Sequence, residues 1–220
     1  MGTITRTFAN NITTSGVFKP TAFNNASFDN VTAVPGGALP AGGNMVLLST
    51  QTASGDASIS FTSGIDSTYK EYMFVFNNIH PATDNAHFQF NFSTDAGSTY
   101  DVIKTSTIFR SLNFEDDSLT SLDYRTAYHL AQSTDYAYLG SQQGNGADES
   151  CSGTMHLFNP SDTTFVKHFT TNCNFYNYNS ASEQLCGAGY GNTTSAIDAV
   201  IFRMSSGNID DGTIQMFGIL

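Results

Sequence analysis

From Val46 onward, apolar and polar residues alternate with a period of two. The segment ASISFTS sets Ala57, Ile59 and Phe61 on one face, and HFQFNFS sets Phe88, Phe90 and Phe92 on one face with Gln89 and Asn91 on the other. Successive side chains of a strand point to opposite faces, so both segments predict half-buried strands. EYMFVFNNI is apolar at every position from Met73 to Phe76, which predicts a strand covered on both sides near the middle of a sheet. Further strands are expected at Val102 to Phe109, Tyr124 to Leu130, Tyr136 to Leu139, Cys151 to Phe158, Phe165 to Cys173, Leu185 to Tyr190, Ala196 to Met204 and Thr213 to Ile219. They are joined by turn chemistry such as TDAGS, NPSD and SSGNIDDG. No stretch keeps a 3.6-residue period over three turns; only SLTSLDYRTAYHLAQS, with Leu119, Leu122 and Tyr128, competes as a short helix. The pattern predicts an all-β fold, an antiparallel β-sandwich that is jelly-roll-like. Its expected core holds Phe61, Phe74, Phe76, Phe88, Phe90, Phe92, Val200, Phe202, Met216 and Ile219.

Residues 1–45 break this pattern. They contain Pro20, Pro35 and Pro40, three of the five prolines, together with PGGALPAGG, and too few clustered aliphatics for a core of their own. They are expected to form an extended amino-terminal arm ahead of a sandwich domain at 46–220. Scattered β-favouring and aromatic residues suit an arm that adds to a sheet edge or groove, so Ile4, Phe8, Phe18, Phe23 and Phe28 are the candidate partner-docking residues. No repeat at a solenoid, propeller or coiled-coil period occurs, which argues for a compact head rather than a fibre shaft.

Composition narrows the partners. Eight basic against 19 acidic residues give a net charge of -11, which repels phosphate backbones and anionic lipid, so nucleic-acid binding is not expected. Only 12% of the residues are charged, while Ser, Thr and Asn supply 70 of 220, so the water-facing side is neutral and hydrogen-bonding. No apolar run approaches a membrane span, and MGTITRTFANNITTSG lacks the apolar stretch of a secretory signal, so neither membrane insertion nor export is expected. Cys151, Cys173 and Cys186 are too few for a disulfide framework and are expected as reduced thiols, with a Cys173–Cys186 bridge as the alternative.

The chemistry-bearing residues form no catalytic motif. The five histidines show neither HxH nor HExxH spacing, and His87 and His156 are expected on solvated faces. Asp116 with Asp117, and Asp210 with Asp211, are adjacent pairs in turn contexts, read as solvated turn acids, with a loop calcium site as the lesser reading. GAGYGN precedes a strand rather than opening a helix, so it is not a phosphate loop; its glycines suit a bulge or a close approach between strands. No GxSxG, SxxK or Cys/His nucleophile arrangement is present. No catalytic, cofactor or metal residue is therefore assigned. Tyr176 and Tyr178, set among amides in FYNYNS, are candidates for glycan or subunit contact.

Three pieces, ISFTSGIDSTYKEYMFVFNNIHPATD (59–84), SGTMHLFNPSDTTFVKHF (152–169) and GYGNTTSAIDAVIFRMSSGNIDDGTIQMFGIL (189–220), resemble the carboxy-terminal β-domain of virion proteins of tailed phages, those of marine and cyanobacterial hosts most of all. The resemblance covers about residues 46–220 and supplies no catalytic residues. It implies a non-enzymatic structural protein on the virion surface, a head-decoration or appendage subunit assembled in the host cytoplasm. Such a subunit would be docked by its arm onto major capsid or tail proteins and self-associated, as a homotrimer in the expected case. The alternative is a tail-fibre tip or glycan-binding module that recognises a host-surface glycan.

Overall fold

The computed structural model describes residues 45–220. The expected arm and its anchors Ile4, Phe8, Phe18, Phe23 and Phe28 lie outside the described residues. From Met45 the chain forms twelve strands and, among the described residues, no helix: β1 (Met45–Thr52), β2 (Ile59–Phe61), β3 (Glu71–Pro81), β4 (Phe88–Ser93), β5 (Lys104–Phe114), β6 (Thr120–Tyr124), β7 (Ala137–Tyr138), β8 (Cys151–Phe158), β9 (Lys167–Asn177), β10 (Ala181–Gly191), β11 (Ala199–Met204) and β12 (Ile209–Ile219). They build two antiparallel sheets, an eight-stranded one in the order β1-β12-β3-β8-β9-β10-β5-β6 and a four-stranded one in the order β2-β11-β4-β7. The sheets pack face to face as a sandwich. A jelly roll divides eight strands between two sheets, whereas here the division is eight and four, so the shared feature is the two-layered antiparallel plan.

The core lies where the inward rows of both sheets interdigitate. Phe202 of β11 sits at its centre, with ring centroids 6.1 Å from Phe61, 5.3 Å from Phe74, 5.2 Å from Phe76 and 6.0 Å from Phe88. Phe90 and Phe92 of β4 reach across to Phe169 of β9. Nine of the ten expected core residues are buried; Ile219 is only partly so, because it is an odd-numbered neighbour of the buried even row Ile214 and Met216.

Two expectations about coverage are reversed. Strand β3 is half-buried, with Tyr72, Phe74 and Phe76 inward and Met73 and Val75 only partly covered. Strand β4 is buried at all six positions. Its polar face is roofed by irregular chain: the Asn91 amide donates to the carbonyls of Tyr100 (2.7 Å) and Thr134 (2.9 Å), and its Oδ1 accepts from the buried Lys104 ammonium. Asn91 is thus a buried polar residue with every strong group paired, which alternation alone cannot distinguish from a solvated one. The strand expected at Tyr124 to Leu130 is also displaced: β6 ends at Tyr124, and the chain then turns, with Tyr128 N–H donating to the Arg125 carbonyl.

Two glycines explain close approaches. Gly189 lies in the tract read as strand-packing glycine, and a Cβ there would sit 2.5 Å from the Thr105 carbonyl oxygen and 2.7 Å from the Phe169 ring. Gly212, at φ +113°, occupies the bulge where the β12–β3 register shifts between Asp211 and Thr213.

The thiols do not bridge across β9–β10. Leu185 pairs with Cys173 and Cys186 pairs with Asn172, so the Cys173 and Cys186 side chains project from opposite faces. Cys173 contacts the Cys151 thiol instead, and that contact, with burial, holds its pKa well above the ordinary thiol range. Mass spectrometry without reductant is expected to find three thiols, with Cys186 alone alkylated in the folded protein. A Cys173–Cys186 disulfide would break the β9–β10 register.

Glu183 is a fully buried carboxylate on the inner face of β10. Ser141 Oγ and Asn177 Nδ2 each donate to it at 2.8 Å, and Arg110 stands 3.9 Å away. Burial raises its pKa above 4.5, opposed by those donors and by Arg110 and Arg125. The folded chain therefore holds the proton more tightly than the unfolded chain. The associated stability is fully present below pH 4.5 and declines as pH rises through the folded value. Glu183→Gln is expected to abolish that decline in urea-unfolding free energies measured across the window; parallel curves for the two proteins would contradict it.

Candidate functional site

Antiparallel pairing brings the ends of β3, β5 and β9 and the starts of β8, β10 and β12 to one end of the large sheet. Two cavities open there, following the strand order. One of about 660 Å³ is lined by Asn78, His80, Asn145, Asp148, Glu149, Asp210 and Asp211. Its neighbour of about 490 Å³ is lined by Asn113, Glu115, Asp117, Asn174, Tyr176 and Ser182, and both share Asp148 and Ser150. The result is an acidic, amide-rich trough.

Local turns position its groups. Asp117 sits in the β5–β6 turn at φ +57°, and Asp116 Oδ1 accepts the Ser118 N–H at 3.0 Å, as their reading as turn acids anticipated. Glu149 closes its own loop by accepting the Gly146 N–H at 2.7 Å. His80 stands between the Gly146 carbonyl (3.1 Å) and Asp210 (3.7 Å). Among the described residues, no three His, Cys, Asp or Glu side chains converge as metal ligands. The trough can instead offer hydroxyl-binding amides and carboxylates beside Phe114, Phe175 and Tyr176, an arrangement that suits a neutral, hydroxylated ligand and repels an anionic one.

Of the two candidate tyrosines, Tyr176 lines this trough, whereas Tyr178 lies beyond β9 in the hairpin turn, its N–H bonded to the Gln142 carbonyl. The structure does not bring them into one site. His87 departs from the solvated position expected, whereas His156 stands on the outer face of β8 in register with Ser152 and Thr154, its side chain 31% exposed. His87 is wedged against Tyr128 and Tyr138, accepts the Gln142 N–H at 3.0 Å, and has its pKa lowered by burial. His156 is 2.6 Å from Glu71 on the neighbouring strand, a pairing no local sequence spacing reveals.

A second surface lies on the outer face of the large sheet. Phe109 pairs with Tyr124 on β6 and with Cys186 on β10, and Ser111 pairs with Leu122. Phe109 is 49%, Tyr124 50% and Leu122 75% exposed, a row of apolar side chains open to solvent. Next to it, Thr107, Ala188 and Thr170 form a low row between Phe109 and the Tyr190–His168 pair, over an apolar hollow of about 390 Å³. Strand β6 is an edge, as is β1 at the other end with Met45 and Leu47 exposed. Sequence reasoning missed this surface because Leu122 and Tyr124 were assigned to a competing helix and to a later strand. No protein-family model, curated protein or solved structure matches the chain.

Proposed function

We propose that the chain is a non-enzymatic assembly subunit on the surface of a tailed-phage particle, joined to copies of itself through the outer face and edges of its large sheet. In this reading residues 1–45, with Ile4, Phe8, Phe18, Phe23 and Phe28 as apolar anchors, dock it on capsid or tail proteins. The observation that carries the assembly part is the exposed Phe109–Tyr124–Leu122 row beside the open β6 edge. Apolar side chains next to unpaired strand backbone are what natural monomers avoid and subunit interfaces use. The setting on a virion rests on the three sequence pieces that resemble phage proteins. Native mass spectrometry of the full chain is expected to give an oligomer that Leu122→Lys with Phe109→Lys converts to monomer. Quantitative mass spectrometry of purified particles is expected to find it in many copies. A monomeric wild-type chain, or only a few copies per particle, would overturn the reading.

Tyr176 in the amide- and acid-lined trough favours a second reading, recognition of a host-surface glycan. It requires that Tyr176→Ala abolish glycan binding while leaving particle incorporation intact.

A further inference from the structure

A third concavity lies on the small sheet and, unlike the acidic trough, sets an arginine opposite a single aspartate. The register sets Arg203 of β11 beside Gln89 of β4, and Gln89 beside Tyr138 of β7, so three polar side chains stand in one line on the outward face. Over that line the chain from Ala127 to Leu130, together with Asp135 and Tyr136, walls a cavity of about 310 Å³.

Arg203 is the unusual member. Its guanidinium lies 3.6 Å from the Tyr136 ring centroid, and its Nε is buried with no hydrogen-bond acceptor. Among the described residues no carboxylate comes within ion-pair distance of it, whereas Arg110 and Arg125 both engage Asp123. A guanidinium cannot shed its charge; the buried Nε is out of a ligand's reach, so the Nη fork of the cavity-lining Arg203 is what an acceptor from outside meets. The surrounding wall is braced: Tyr138 stacks on Tyr128 at 4.7 Å, Arg125 covers the Tyr128 ring, and the His129 ring is held by the Tyr124 hydroxyl at 3.2 Å. Asp135, fixed by the Ser133 hydroxyl at 2.8 Å, and the buried Gln89 supply hydrogen-bonding groups on the remaining sides.

We propose that this pocket binds a carboxylated sugar, a hexuronic or sialic-type acid. Its planar carboxylate meets the Arg203 fork, its hydroxyls meet Gln89, His129 and Asp135, and its ring face lies against Tyr138. Three features select this class. The volume is at the small end for ligand sites and accommodates one ring rather than a nucleotide. Asp135 disfavours a phosphate dianion but accepts hydroxyl protons. The lining is dominated by polar groups, unlike a pocket for the side chains of a peptide terminus. The site is separate from the trough around Tyr176 and from the apolar sheet face, and the proposal is independent of the assembly reading.

The test is calorimetric titration of the full-length protein with glucuronic acid, its methyl ester, glucose and the tripeptide Gly-Gly-Ala. The acid is expected to bind about tenfold or more tightly than the ester or glucose, the scale of one lost charge-assisted contact. Arg203→Gln is expected to reduce acid binding to the level of the ester, and Phe165→Ala, at an exposed residue outside the pocket, to leave it unchanged. Equal affinity for acid and ester, retention of acid binding in Arg203→Gln, loss of it in Phe165→Ala, or tighter binding of the tripeptide would each overturn the proposal. The acid–ester comparison uses the unaltered protein and decides the matter even if Arg203→Gln does not fold.

Discussion

Replacing Phe202 with alanine is expected to destabilise the sandwich by about 3–5 kcal/mol, the range for a phenylalanine removed from a packed core. The residue is fully buried, and its ring contacts aromatic residues of β2, β3 and β4, hence both sheets. Deletion would leave a cavity that no single neighbour can fill, because the surrounding rings are already committed to one another, as in the Phe61–Phe74 and Phe76–Phe88 edge contacts at 5.4 and 5.1 Å. Phe165 is the control: it is 68% exposed, and its alanine variant should lie within about 0.5 kcal/mol of wild type. Urea unfolding of both variants, with the slope against denaturant unchanged, checks the pair. A near-neutral Phe202→Ala would mean that the two sheets do not share this core.

The inward phenylalanines were legible because a strand's period is two and a large ring reveals its face. What alternation cannot supply is the identity of whatever covers the other face. Gln89 and Asn91 look solvated in sequence, yet the chain before β5 and before β7 folds over them, and a buried Lys104 pairs with Asn91 from thirteen residues away. Met73 and Val75 look buried, yet they lie on the outer face of the large sheet and are only partly covered. Ile219 was placed with Met216 although the two differ in parity, an error the period itself could have exposed.

The candidate sites were less legible than the fold, for a related reason. Tyr176 could be picked out as an aromatic among amides, but its trough is assembled from the ends of six strands, and Asp117, Asp148 and Asp210 become neighbours only once the strand order is known. The line of Arg203, Gln89 and Tyr138 depends on the β11–β4–β7 register, which joins residues more than a hundred positions apart. A single arginine in an acidic chain is an ordinary surface residue until its lack of a partner is seen in three dimensions.

Lys104 should make the protein more stable as the solution becomes alkaline. It is fully buried, its ammonium donating to Asn91 Oδ1 and, at 2.7 Å, to the Val102 carbonyl. Burial lowers its pKa from 10.5 to about 8, against the opposing pull of Asp135 and Asp101. Between those two values the unfolded chain still holds the proton that the folded chain has released, so the unfolding free energy rises with pH. A shift of this size corresponds to about 3 kcal/mol gained across the window, at 1.36 kcal/mol per pKa unit. The informative quantity is the difference from Lys104→Met, which shares every other titratable group. The stability of that variant relative to wild type should fall steadily from pH 8 to 10.5 and stay level between pH 6 and about 7, on the order of one unit below the folded value. The neutral amine can still donate to Asn91 and Val102, so its deprotonation removes the desolvated charge without dismantling the roof over β4. If the two proteins instead trace parallel curves through this window, the ammonium is not desolvated in the folded chain, and the packing of residues 98–105 over β4 is looser than the fold described above.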